Sequence, residues 1–269
     1  MSGYHHDCEV KPGSGAGLAT RATSDKLGLD KVRAEVEMKS YSERLGVLHN
    51  RLWAEQQRAV LLVLQGLDAS GKDGTIKRVF TGLNPQGCIV HSFKAPTEAE
   101  RAHDYLWRVH AVMPPRGYIG IFNRSHYEDA VTTRVLGIID DAERTRRHGH
   151  INEFERMLHD EGTTVVKVFL HLGKDEQRAR LQARIEDPEK RWKFRHDDLD
   201  TRKHWDDYQR LYDETITATS TKWAPWHVVP ADHKWASGLC VASLLTSVLE
   251  KMDPKPPEPT DDLDGLVVA

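Results

Sequence analysis

Several features are missing from this chain, and each absence narrows what it can be. It has three cysteines, Cys8, Cys88 and Cys240. They are far apart, odd in number and form no Cys-x2-Cys pair, so the sequence suggests neither a disulfide framework nor a zinc site of the usual spacing. Neither sign of charge dominates: 38 Lys and Arg face 41 Asp and Glu, for a net charge of −3. Bulk charge therefore supplies no attraction to nucleic acid or to a membrane surface. No apolar run approaches the about 18 residues of a membrane-spanning helix. The amino terminus carries no apolar signal core, and no internal repeat points to a solenoid. The expectation is a soluble, cytoplasmic protein with 269 residues and 39% hydrophobic content, enough for one sizeable α/β domain.

The most informative segment that is present runs LLVLQGLDASGKDGTI over residues 61–76. An apolar run, Leu61 to Leu64, predicts a buried strand. It breaks at Gly66 into a loop of Leu67, Asp68, Ala69, Ser70, Gly71, Lys72, Asp73 and Gly74, and a helix-like stretch begins at Thr75. Strand, glycine loop and helix make the context of a phosphate-binding P-loop. Glycines let backbone N–H groups turn inward, the helix start adds a positive dipole end, and Lys72 adds a mobile charge. The spacing Gly-x4-Gly-Lys is complete. The next position, usually a magnesium-binding Ser or Thr, is Asp73. Asp68 is the expected substitute for holding the metal.

Around this loop the pattern alternates. Residues 1–29 contain a Gly/Ser-rich stretch and predict a flexible arm. Residues 30–57 have apolar residues at helical spacing. Strands are expected at 59–65, 88–93, 118–122, 163–172 and 226–230. Helices are expected at 75–82, from a Thr97–Glu100 capping box to about Met113, and at 140–160, 174–186 and 236–251. The proline-rich, acidic tail 253–269 predicts disorder. Such alternation means a five-stranded parallel sheet between helices, with ligands at the carboxyl ends of the strands.

The polar residues just past those ends are the candidates for chemistry. Asn123 to Asp129 follows the third strand, where an acidic magnesium-binding residue usually stands. Asn123 brings no charge, so the metal falls to Asp68, with Glu128 or Asp129 as the second carboxylate. Glu128 and Asp129 also suit a helix start, where the dipole favours acids. Arg124 is expected to grip a transferring phosphoryl group. Lys94, Arg101, Arg108 and Arg116 suggest an acceptor-side track for a polyanion. Residues 180–212 mix arginines, led by Arg180 and Arg184, with aromatics. They suggest a helical lid that closes over phosphates. Interspersed acids in that stretch argue against nucleic acid.

Six ordered motifs carry a family resemblance across residues 30–250. They are the loop Gly66–Ile76, Asn84-Pro85-Gln86-Gly87, Phe93-Lys94-Ala95-Pro96-Thr97, His103-Asp104-Tyr105-Leu106-Trp107-Arg108, Asn123-Arg124-Ser125-His126-Tyr127-Glu128-Asp129, and Trp226–Asp232. With them the chain resembles the polyphosphate kinase 2 family. The resemblance implies a thymidylate-kinase-like P-loop core with a helical lid. It implies phosphoryl transfer between inorganic polyphosphate and adenine or guanine nucleotides, with magnesium, or manganese in its place. Asp68, Lys72 and Arg124 match the family's catalytic positions, and Arg180 and Arg184 its lid arginines. Gly66, Ala69, Ser70, Gly71, Asp73, Gly74, Thr75, Lys94, Asn123 and Glu128 would bind phosphate or nucleotide. The Asn123 form looks like the subgroup that accepts both AMP and ADP, and such enzymes form homodimers or homotetramers. Two readings on the same core stand beside it: an ATP-dependent nucleotide or nucleoside kinase, and a non-catalytic phosphate-binding regulator.

Overall fold

Strand β2 (Ala59–Gln65) is buried at every residue, as expected of a central strand covered on both faces. The computed structural model describes residues 3–264 and 266–268, and the backbone alone of Asp198. Around β2, one sheet also contains β1 (Glu9–Val10), β3 (Cys88–Ser92), β4 (Ile119–Asn123), β5 (Thr163–His171) and β6 (Trp226–Pro230), in the order β1-β6-β5-β2-β4-β3. The five predicted strands are all parallel. From β2 the chain passes to β3 on one side and later returns to β5 on the other. The carboxyl end of β2 therefore lies at the topological switch point, where α/β sheets bind ligands.

The helices are α1 (Lys31–Glu55), α2 (Lys72–Phe80), α3 (Glu98–Arg101), α4 (Trp107–His110), α5 (Thr132–Val135), α6 (Asp141–Asp160), α7 (Lys174–Glu186), α8 (Asp197–Lys203), α9 (Trp205–Thr219) and α10 (Lys234–Met252). One core holds α1 and α10 with the face of β2 that carries Val60, Leu62 and Leu64. The other holds α9 with the face that carries Leu61 and Val63.

Three sequence expectations change. The single helix expected to run to Met113 is two short pieces, because Asp104 Oδ1 accepts from Leu106 N and Trp107 N and restarts the helix as α4. The flexible arm expected over residues 1–29 is a packed strap from residue 3 onward. Its β1 pairs antiparallel with β6, and Cys8, Val10, Ala16 and Leu18 are buried. Leu18 N donates to Asp213 Oδ1 at 2.6 Å, and Thr23 Oγ1 donates to Asp232 Oδ2 at 2.7 Å. The Gly/Ser-rich composition hid these widely spaced anchors. The lid expected over 180–212 is shorter, since Trp205, Tyr208, Leu211 and Tyr212 of α9 belong to the core. The described residues after Met252 form no helix or strand.

Beneath β4 and β5 lies a buried ionic knot. Lys167 of β5 and Glu155 of α6 are both 0% exposed and meet at 2.5 Å. Lys167 Nζ also donates to Tyr127 Oη at 3.0 Å and to Thr219 O at 2.6 Å. Burial pushes the Glu155 carboxyl up, but Lys167 and His126 outweigh it and hold the group ionised. Removing one partner leaves a buried charge unpaired. We expect Lys167→Met to lower stability by about 3–5 kcal/mol, measured by urea denaturation, and Lys167→Met with Glu155→Leu to recover much of that loss.

Candidate active site

The phosphate loop is built as its motif requires. Gly66 sits at φ 147°, and a Cβ there would lie 2.7 Å from Ser70 Oγ and 2.9 Å from Leu170 O. Gly71 caps α2 at φ 104°. Only glycine adopts both conformations without strain. Helix α2 starts at Lys72, three residues before the sequence suggested, so the helix start directly follows the loop.

A loop that turns its N–H groups inward must find donors for its carbonyls. Here every carbonyl from Gly66 to Ser70 has one. Lys72 Nζ donates to Gly66 O at 2.6 Å and to Leu67 O at 3.3 Å. Gln177 of α7 donates to Asp68 O at 3.0 Å. Arg180 Nη1 donates to Ala69 O at 3.0 Å and to Ser70 O at 3.2 Å. The other prong of Arg180 reaches Ala231 O and Asp232 O at 2.7 and 2.9 Å. Arg180 is thus no lid arginine reaching over substrate. It is a buried brace tying the loop to the end of β6. Arg184 stands one turn further along α7, half-buried.

From the neighbouring strand, β4 delivers the second half of the site. Asn123 pairs in register with Leu64 at the end of β2, and Arg124 then turns the chain at φ 63° while its N–H donates to Leu64 O. This left-handed residue costs about 1 kcal/mol or more. Its side chain meets Asp68 Oδ1 at 2.6 Å and Glu128 Oε2 at 3.3 Å. Glu128 and Asp68 keep the guanidinium charged against burial, and 39% of that side chain still faces solvent. Ser125 caps the 3-10 turn His126–Asp129 that follows. Gln65, the last residue of β2, satisfies both ends of its amide when its nitrogen faces Glu128: it then donates to Glu128 Oε1 at 2.9 Å and accepts from Ser125 N and Oγ at 3.0 Å.

The two departures from the usual motifs face each other. Asn123 Nδ2 donates to Asp73 Oδ1 at 2.7 Å, a contact that an ionised aspartate at position 123 could not make. Lys193, in the exposed segment between α7 and α8, lies 4.0 Å from the other Asp73 oxygen, so the remaining lid segment does reach the loop. Gly74 and Thr75 lie in the first turns of α2, Thr75 buried and Gly74 exposed.

Not every predicted residue joins. Asp129, expected as a metal carboxylate, is committed elsewhere: its Oδ2 lies 3.0 Å from Arg108 Nη2. Arg108 is itself buried and donates to Lys94 O, so it is not part of a surface track. Lys94 is exposed just beyond β3. Among the described residues, no three His, Cys, Asp or Glu converge as a metal cluster. Magnesium usually takes only one or two carboxylates and fills its shell with water and substrate phosphates. Asp68, with Glu128 beside it, fits that demand. Sequence reasoning missed Gln65 and Gln177. Gln65 left a signal, a lone amide closing an otherwise apolar strand; Gln177 left none.

Lys72 is buried, and burial first, then Arg124, lowers its pKa to about 8 despite Asp68 and Glu128. Loop N–H groups, the α2 start, Lys72 and Arg124 together form a pole for phosphate oxygens. The carboxylates beside them would suit a divalent cation.

Comparison with known proteins gives the same picture. The family model described as polyphosphate kinase 2 matches residues 28–257. An AMP/ADP-polyphosphate phosphotransferase of Meiothermus ruber is 51% identical over 227 residues, or 84% of this chain and 85% of the relative. An ADP-polyphosphate phosphotransferase of Rhodopseudomonas palustris is 43% identical over 235 residues, or 83% of this chain and 81% of the relative. A crystal structure of polyphosphate kinase 2 from Arthrobacter aurescens TC1 superposes with a TM-score of 0.94 at 39% identity, covering 98% of this chain and 94% of that one. A match over so much of the chain, by sequence and by fold, makes it a member of the polyphosphate kinase 2 family.

Proposed function

We propose that this chain moves phosphoryl groups between inorganic polyphosphate and adenine nucleotides, ADP to ATP and AMP to ADP, with GDP as a further acceptor. The reading rests above all on the braced phosphate loop with Lys72, and on Arg124 reaching it from the adjacent strand end. The name of the 51%-identical Meiothermus ruber relative, which covers both AMP and ADP, supports the double acceptor. The chain acts in the cytoplasm with magnesium, or manganese in its place, held by Asp68 and Glu128. It assembles as a homodimer or homotetramer, to which the exposed Val32, Val36, Trp107 and Met157 lend apolar surface. No helix among the described residues is long and apolar enough to cross a membrane.

The chemistry asks little of a general base. The acceptor is a phosphate oxygen already ionised near pH 7, and the transition state is loose, so alignment and charge stabilisation dominate. When bound, magnesium withdraws charge from the phosphate oxygens. Lys72 exchanges its loop carbonyls for phosphate oxygens, and the α2 N–H groups fix the group in place. Arg124 is shared between two carboxylates. A phosphate that takes its guanidinium leaves Asp68 free for the cation.

Purified protein with long-chain polyphosphate and magnesium should yield ADP and ATP from AMP, ATP from ADP, and GTP from GDP, read by chromatography. ATP from ADP alone would overturn the AMP assignment. Products appearing only with ATP as donor would point to a nucleotide kinase instead. Because Lys72 is charged below about pH 8 and neutral above it, kcat/KM for polyphosphate should fall as pH rises through that value. The value of kcat should hold to higher pH, since a bound polyanion keeps the ammonium protonated. Lys72→Ala should cost about 3 kcal/mol or more of transition-state binding. Arg124→Ala should reduce kcat/KM by about 100-fold or more with little change in Tm. Arg180→Ala should lower both activity and Tm, because it leaves three buried carbonyls and one partly buried one without their donor.

A further inference from the structure

The strap and the last helix bring two cysteines together that stand 232 residues apart in sequence. Cys8 closes the 3-10 turn His6–Cys8 just before β1, and Cys240 lies in α10. Their sulfurs are 3.4 Å apart, and both are free thiols. Cys8 also lines a cavity of about 460 Å³, with Tyr4, Arg21, Asp25, Val228 and Pro230 around it. Arg21 anchors this wall by donating to Asp7 O at 3.0 Å and to Ala16 O at 2.8 Å. Cys8 therefore has an approach from outside, while Cys240 behind it is wholly buried.

We propose that Cys8 and Cys240 form a redox latch, oxidised by a hydroperoxide to a disulfide that staples the amino-terminal strap to α10.

The two thiols have different roles. The hydrogen bond with Cys240, followed by the Arg21 charge, holds the Cys8 thiol below its usual range despite burial. The same bond and burial hold Cys240 well above it. Cys8 is thus the attacking thiolate and Cys240 the resolving thiol. Cys8 sulfur attacks one oxygen of hydrogen peroxide; the S–O bond forms, the O–O bond breaks, and hydroxide leaves to become water. Cys240 then gives up its proton and displaces hydroxyl from the Cys8 sulfenic acid, forming the S–S bond and a second water. Two thiols lose two electrons in all, and one peroxide is reduced. The sulfurs must close to about 2.05 Å.

What the latch would hold is the buttress of the phosphate loop. The strap reaches Asp232 through Thr23, by Thr23 Oγ1 to Asp232 Oδ2 and by Asp232 N to Thr23 O at 2.9 Å. Asp232 O is one of the carbonyls gripped by Arg180. A crosslink around a loop of that length restricts the unfolded chain more than a short one does. The result is a chain that resists unfolding under oxidising stress while Asp68, Lys72 and Arg124 keep their geometry.

The test treats the full-length native protein with hydrogen peroxide. Intact mass should fall by two hydrogens. A non-reducing peptide map should join the Cys8 and Cys240 peptides. Cys88, whose thiol is pushed up to about 11 by burial, should remain alkylatable. The Tm should rise by about 5–10 °C, reversed by dithiothreitol and absent in Cys8→Ser, with polyphosphate-dependent turnover within twofold of the reduced protein. Oxidation of Cys88 ahead of Cys8, a sulfinic Cys8 with Cys240 still free, or a disulfide that leaves Tm unchanged would each overturn the latch.

Discussion

The carbonyls of the phosphate loop are the constraint on which the rest of this molecule depends. A loop that aims its amides at an anion must aim its carbonyls away from it, and five consecutive ones need donors within the protein. Lys72 takes two, Gln177 one and Arg180 two. The cations near the loop therefore divide into two kinds. In the proposed reaction Lys72 trades its carbonyls for substrate oxygens. Arg180 cannot do the same, because its second prong is fastened to the end of β6. A pair of basic residues that look alike in sequence thus separates into a mobile charge and a fixed brace.

The same logic joins the two apparent defects of the motifs. Asp73 in place of Ser or Thr and Asn123 in place of Asp each seem to weaken metal binding when taken singly. Together they make one hydrogen bond across the mouth of the site. Two carboxylates at that distance would repel, and one of them would have to stay protonated. The amide at 123 gives one Asp73 oxygen a donor, while Lys193 lies 4.0 Å from the other. Negative charge is thereby kept at the rim, while Asp68 and Glu128 share Arg124 further in.

Much of this could be read from the chain. The apolar run of β2, the glycines of the loop and the β-branched β5 placed the sheet and its switch point, because backbone geometry and burial follow local pattern. Asp68, Lys72, Arg124 and Glu128 came together as their positions past strand ends suggested. What escaped was decided by distant partners. Arg180 on an amphipathic charged helix has the same local pattern whether it braces a loop or covers a ligand. Asp129 and Glu128 are neighbours, yet a 3-10 turn sends one to Arg108 and the other to Arg124. The strap leaves no clear pattern because Val10, Ala16 and Leu18 are too widely spaced to register against their glycine-rich surroundings.

That strap has a consequence for the sheet as an object with edges. Strand β6 is buried at every residue, and two residues of β1 are what covers its outer side. A sheet edge of this kind, apolar and without charge, is a template for pairing with another chain. At the opposite end, β3 is short and largely exposed, the kind of edge soluble proteins tolerate. A chain trimmed at residue 29, where composition alone would put the domain boundary, would keep its tolerated edge at β3 and uncover the sticky kind at β6. The first residues of this protein therefore act as its guard against self-association through the sheet.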